Sequence, residues 1–266
     1  MFLYTHLVRL AIDDIARTVP VFAHVKPRQI AVVAAARPCV TPTGNLAQCH
    51  ALRLPEVEDV AYWYNRRTRH VVRMTPWARR ENVRVCLNGQ DMLYVILLRL
   101  PRLLQYHPLE TIIHEMVHIH PSCDGRIRRL RHGKRFDSVV EHCAAIWRRD
   151  GDPELVRLIE MDAEALAREK GPLVAETFGN SFATQRWVAL EPAPPLDQHP
   201  DFSRKGLVCK LSEVEILPGR WMTEKTPAEL TERDLVYRLF RGVSACKISP
   251  ALVHAASRKA FVISNS

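Results

Sequence analysis

The chain has 266 residues, 47% hydrophobic and 25% charged, which excludes a disordered chain, a collagen-like repeat or a coiled coil. The longest apolar run, Met92–Leu98, is far short of the roughly 20 residues a membrane helix needs. The formal charge is +9 and uneven: residues 1–150 carry 23 basic and 13 acidic side chains, residues 151–266 carry 15 and 16, so a polyanionic partner is expected at the first half. No basic, apolar and small-residue signal pattern opens the chain. The seven cysteines, at 39, 49, 86, 123, 143, 209 and 246, form no CxxC pair, so a reducing cytoplasm is expected, with neither a disulfide framework nor a zinc ribbon.

In chain order, apolar spacing through Leu3, Leu7, Leu10, Ala11 and Ile15 predicts a helix over Phe2–Val19, stopped by Pro20. Gln29–Ala36 reads as a strand, and residues 38–50, rich in Pro, Thr, Gly and Asn, as a loop. Strands are expected within Val60–Met74, at Val83–Leu87 and, after an Asn88-Gly89 turn, at Leu93–Leu98. A helix follows from Pro108, with Glu110 complementing its positive end and Pro121 ending the segment. Lys134–Arg149 has helical spacing. Pro153–Lys170 reads as one helix capped by Asp152 and stopped by Gly171. Residues 191–206, with four prolines, read as a linker after a domain spanning 1–190, and 207–266 as a small terminal region. Its clearest expected element is a helix over Pro227–Arg241, capped by Thr226 with Glu229 completing a capping box.

The chemistry concentrates in His114-Glu115-Met116-Val117-His118. Two histidines four apart lie on one helix face, one turn from each other, where both imidazoles reach a single tetrahedral zinc ion. The glutamate after the first histidine then points at the metal's open position as a general base. Chance yields on the order of 0.03 such matches in a chain this size with 12 His, which makes the pattern a signal and not noise. The neighbours Ile112, Ile113, Met116 and Val117 suit a buried helix, and buried histidines need a partner. A catalytic zinc takes three protein ligands. For the third, the residues leave His120, Asp124, Glu141 and His132 open. Asp124 would complete HExxHxxPxxD, but Pro121 stands where a glycine is expected; Glu141 would give a set drawn from the next helix.

HExxH followed after a short loop by His132-Gly133-Lys134-Arg135-Phe136 resembles the SprT-like metallopeptidases, which include bacterial SprT proteins and Spartan-type DNA–protein crosslink proteases. The resemblance covers about residues 55–150, most closely Leu109–His118. It implies an α+β, zincin-like fold: a small antiparallel or mixed sheet packed on the metal helix, with further helices after it. It also implies Zn2+ held by His114, His118 and His132, with Glu115 as catalytic base. Gly133 would permit a tight turn, Phe136 would pack the next helix on the core, and Leu97–Leu104 would supply an edge strand and connector. The chain departs from many members in lacking a CxxC ribbon, and residues 172–266 lie outside the resemblance. A protein substrate would add a strand along an edge near Val95–Arg99.

The basic charge gathers in two places. Arg126, Arg128, Arg129, Arg131, Lys134 and Arg135 crowd around His132. Arg66, Arg67, Arg69, Arg73, Arg79, Arg80 and Arg84 interleave with Tyr62, Trp63, Tyr64 and Trp77, a pattern that suits phosphate contact and base stacking. DNA is therefore the expected polyanion. The expected activity is zinc-dependent endoproteolysis of DNA-associated proteins. The alternatives are cleavage of a specific regulator without DNA, or a non-catalytic DNA-binding protein with a structural zinc. Tyr62, Tyr64, Arg66 and His70 are candidates for steadying the oxyanion.

Overall fold

The computed structural model describes residues 1–36, 44–106, 108–179, 182–217, 226–241 and 244–248. Cys39 and part of the expected 38–50 loop lie outside the described residues. Among these residues the architecture is α+β, with six helices and several small sheets. No described helix is long and apolar enough to cross a membrane. The chain divides into two compact units, each discontinuous in sequence: 1–53 with 84–182 and 229–266, and 54–83 with 183–228.

The first unit carries the HExxH segment. Its helices are α1 (Tyr4–Thr18), α2 (Pro108–Val117), α3 (Lys134–Asp150), α4 (Pro153–Glu160) and α5 (Ala163–Lys170). A three-stranded sheet places Tyr94–Leu98 at its centre, parallel to Ile30–Ala34 and antiparallel to Ala47–Ala51. The flanks explain the composition. Ile30–Ala34 is buried at every residue and Tyr94–Leu98 at all but Leu97, the run of apolar residues expected of strands covered on both faces. Ile30, Val32, Tyr94, Ile96 and Leu98 join α1, α2 and α3 in one hydrophobic core, with Trp147 fully buried within it. Each such side chain contributes about 1.5–3 kcal/mol on burial. A second sheet runs in the order Phe2–Leu3, Leu173–Phe178, Leu235–Arg241, Ser244–Ile248.

The second unit holds two three-stranded sheets, Val57–Asp59/Ala78–Asn82/Gln185–Ala189 and Tyr62–Tyr64/Val71–Met74/Glu215–Ile216. Its core is Val60, Val71, Met74, Trp77, Phe202, Leu207 and Val214. The sixth helix, α6 (Pro200–Arg204), lies here.

Several sequence expectations change. Residues 191–206 are not a free linker: Leu196 and Phe202 pack into the second unit's core. The expected helix at Pro153–Lys170 is two, because Met161 is extended (ψ 141°) and Asp162 opens a new helix by accepting from the Glu164 and Ala165 amides. The expected helix at Pro227–Arg241 is absent. Glu229–Leu230 and Leu235–Arg241 are strands, and the capping box forms instead between Thr231 and Asp234 at a 3-10 turn. There the alternating Leu-Val-Tyr-Arg-Leu-Phe-Arg sequence finds a partner in Leu173–Phe178, and long-range pairing overrides local capping signals.

Candidate metal centre

Pro108 opens α2, Glu110 sits in its first turn, and Ile112, Ile113 and Met116 are fully buried. This fixes the rotation of the helix, so that His114 is half-buried on the remaining face. His118 follows one residue past the helix end, in its closing turn, where its N–H reaches the Glu115 carbonyl at 3.3 Å. The chain then doubles back. Ile119 bridges Ile127, and Cys123 and Gly125 adopt positive φ. Gly125 is required there: φ is +87° and an added Cβ would lie 2.4 Å from Arg53 Cγ. The central strand anchors this return, since the Tyr94 hydroxyl accepts the Gly125 N–H at 3.0 Å and donates to the Arg126 carbonyl at 2.8 Å.

The return places Arg128 against His118 twice. The Arg128 N–H donates to the His118 carbonyl at 2.8 Å, and His118 Nδ1 faces the Arg128 carbonyl at 3.2 Å. A proton on Nδ1 donated to that carbonyl leaves the Nε2 lone pair free, the tautomer a metal ligand needs. Four residues on, His132 Nε2 lies 3.1 Å from His118 Nε2. The three rings of His114, His118 and His132 form a near-equilateral triangle, with centroids 4.9–5.1 Å apart. The Phe136 ring, 4.7–5.5 Å from each, covers one side of it.

This donor set fits zinc. One nitrogen from each ring lies within 4.8 Å of the others. The 3.1 Å separation is close to the roughly 3.3 Å between two nitrogens bound at 2.0–2.1 Å to a tetrahedral ion. Burial, reinforced by His118 and His132, lowers the His114 pKa to about 4, and burial lowers that of His118, so both present neutral imidazoles near pH 7.

Glu115 is buried at 7% exposure, and burial raises its pKa to about 7. Its Oε2 accepts the Cys49 backbone N–H at 2.6 Å, which opposes that rise. Cys49 lies in the Ala47–Ala51 strand, which the sequence concealed inside an expected loop. The edge expected near Val95–Arg99 is in fact the sheet's centre; among the described residues the edges are Ile30–Ala34 and Ala47–Ala51, the latter beside Glu115. Its parity follows from two bonds, Leu52 N–H to Leu93 O and Arg99 N–H to Leu46 O. Even-numbered residues face the ladder, so the amides of 47, 49 and 51 face outward, and that of Cys49 meets Glu115. A cavity of about 690 Å3 opens over the site, lined by Cys49, Tyr106, Glu110, His114, Glu115 and Glu141, among others.

The other third-ligand candidates are not among the converging atoms. Asp124 is bound by Arg126, which holds its carboxyl below the ordinary range, and His120 Nδ1 pairs with the Ser122 hydroxyl at 2.6 Å. Glu141 lines the cavity without joining the histidine group. Phe136 packs α3 on the core as expected. Gly133 does not supply a left-handed turn. Its backbone is extended, an added Cβ would meet nothing within 4 Å, and its carbonyl starts α3 by accepting the Phe136 and Asp137 amides.

Tyr62, Tyr64, Arg66 and His70 belong to the second unit. There Tyr62 hydrogen-bonds Asp201, Tyr64 lies beneath the Arg69 guanidinium, and His70 faces Glu213. In the second basic cluster, Arg73, Arg79 and Arg84 are paired with Glu215, Glu81 and Asp91, which reduces its net charge. In the first, Arg126 pairs with Asp124, whereas Arg128, Arg129, Arg131, Lys134 and Arg135 make no salt bridge among the described residues.

Compared with protein-family models, with curated proteins and with solved structures, the chain gives no match.

Proposed function

We propose that the protein is a zinc-dependent endopeptidase with a zincin-like, SprT-like catalytic core, acting on proteins associated with DNA. The observation that carries this reading is the convergence of His114, His118 and His132 beside a buried Glu115, under an open strand edge. A structural zinc site needs no proton acceptor and no open edge.

Zinc held by the three histidines would polarise the scissile carbonyl and acidify the attacking water. The chain's own groups do the rest. An extended substrate pairs with the outward amides of Ala47 and Ala51, which presents its peptide bonds along the cavity. Glu115, with a pKa near the operating pH, accepts the proton of the attacking water and returns it to the leaving amine. The Cys49 amide fixes the carboxylate's orientation through one oxygen. The Arg128 carbonyl sets the His118 tautomer. The cations from Arg128 to Arg135, which make no salt bridge among the described residues, flank His132 and provide contacts for phosphates.

Glu115→Gln tests the reading. The variant is expected to retain one zinc per chain and to lose cleavage of a denatured protein substrate, assayed with and without single- and double-stranded DNA. A wild-type chain that binds zinc yet cleaves no protein under any of these conditions refutes the enzyme. Salt-dependent DNA affinity, with a log–log slope of several units, is expected if proteolysis is tethered to DNA; its absence transfers the activity to a regulator-directed peptidase.

A further inference from the structure

A second concavity lies behind α2, on the side away from the histidine face. It is about 550 Å3, within the range of small-molecule sites. Val21, Phe22, Met116, Val117, Leu130, Phe136 and Val139 give it an apolar lining, and Arg128, Arg131 and Arg135 add three guanidinium groups. None of the three forms a salt bridge with a described residue. Two further features mark the lining. His24 Nε2 is buried and has no hydrogen-bond partner among the described residues. Val21 and Val139 remain 48% and 40% exposed, although each borders an apolar surface.

We propose that this pocket binds a small anionic amphiphile, a carboxylate carried on a hydrocarbon or aromatic body. The apolar lining takes the body, while Arg131 and Arg135 take the acid group at the mouth. Charge alone would suit a nucleic-acid backbone, but phosphates need only the cations and leave a concave apolar lining unexplained. The pocket shares three parts of its wall with the histidine centre. Met116 and Val117 belong to α2, Phe136 touches all three histidine rings, and Arg128 holds His118 through its backbone while its side chain lines the pocket. The inference does not depend on the peptidase reading, because it is read by binding and needs neither zinc nor cleavage.

The test is calorimetric titration of the full chain with decanoate, against decanol, butyrate and a single-stranded oligonucleotide. Decanoate is expected to bind one to one. Decanol lacks the charge and butyrate lacks the body, so each is expected to bind at least tenfold more weakly. Arg131→Ala with Arg135→Ala removes the anion contacts at exposed positions. Val139→Glu sets a carboxylate at the mouth, on an exposed helix position four residues from Arg135. Both are expected to weaken decanoate at least tenfold while leaving the melting temperature and circular dichroism unchanged. The proposal is overturned if decanoate shows no saturable binding, if decanol binds as well as decanoate, or if both variants bind it as the wild type does. It is equally overturned if the oligonucleotide is the only ligand these substitutions weaken.

Discussion

The buried carboxylate of Glu115 makes a prediction about the metal-free protein that needs no substrate. Burial raises its pKa from the ordinary 4.5 to about 7, while the unfolded chain keeps the ordinary value. Between these values the native state binds the proton and the unfolded state has released it, so stability falls as pH rises through this window. Below about pH 4.5 both states are protonated and the penalty vanishes; above about pH 7 it is complete. At about 1.4 kcal/mol per pH decade, the displacement amounts to about 3 kcal/mol. Burial at 7% exposure leaves little solvent screening to discount. His114 acts in the opposite sense. Its lowered pKa removes stability as pH falls from 6.5 toward about 4, so a single wild-type curve mixes the two trends. The comparison must therefore be between chelator-treated wild type and Glu115→Gln, which share His114. Gln keeps the acceptor for the Cys49 amide and cannot ionise. Relative to wild type it is expected to gain about 3 kcal/mol between pH 4.5 and pH 8. At about 2–4 °C per kcal/mol this is a difference of about 6–12 °C in melting temperature. A wild-type-minus-variant difference that stays flat across that range would show that Glu115 is not desolvated and would remove the basis for its tuned basicity.

Other consequences can be checked alongside it. His132→Ala is expected to abolish stoichiometric zinc binding, while Asp124→Ala and Glu141→Ala keep it; competition with a chromophoric chelator reads each. Asp14 is buried and accepts from Trp147 Nε1 and the Asp152 amide, both at 2.8 Å, so Asp14→Ala strands two donors and is expected to cost about 2–4 kcal/mol in urea unfolding. Cys49→Ala keeps the amide that holds Glu115 and is expected to preserve activity. Cys49→Pro removes an outward-facing N–H that the sheet does not use, and is expected to move the acidic limb of the pH–rate profile upward, because that hydrogen bond lowers the Glu115 pKa. An unshifted limb in a folded Pro variant would refute the positioning role.

The parts of the site legible in the sequence are those whose information is local. His114, Glu115 and His118 are spaced by the helical period among apolar residues, so helix formation alone brings them together. His132 was reachable only through the His-Gly-x-x-Phe pattern, because its approach to His118 depends on the return through Gly125 and on the Tyr94 anchor, neither of which has a periodic signature. The basic clusters were visible as charge, but their pairing was not. Glu215 lies over 140 residues from Arg73, and a count of arginines cannot register it. The misread carboxy-terminal helix has the same cause. Thr226, Pro227 and Glu229 form a sound local start signal, yet the following residues pair with a strand some 60 positions earlier.

The Ala47–Ala51 strand shows most clearly what the sequence withheld. Only five residues long, it follows a segment rich in turn formers, and its Ala-Gln-Cys-His-Ala composition has little strand propensity. Its contribution to the site passes through main-chain groups. The Cys49 amide holds the proposed base, and the outward amides of 47 and 51 would offer a template to the proposed substrate. Any residue other than proline supplies such a donor, so side-chain identity carries no trace of the role. What fixes it is parity: the even residues 46, 48, 50 and 52 bond inward, and the amides of the odd ones are left facing away from the ladder. A shift of one residue in the pairing with Tyr94–Leu98 would turn the Cys49 amide into the ladder and leave Glu115 without it. The buried Ala47, Cys49 and Ala51 resist that shift, since it would carry Gln48 and His50 into the core in their place. The register that buries three small side chains is thus the one that orients the proposed catalytic base.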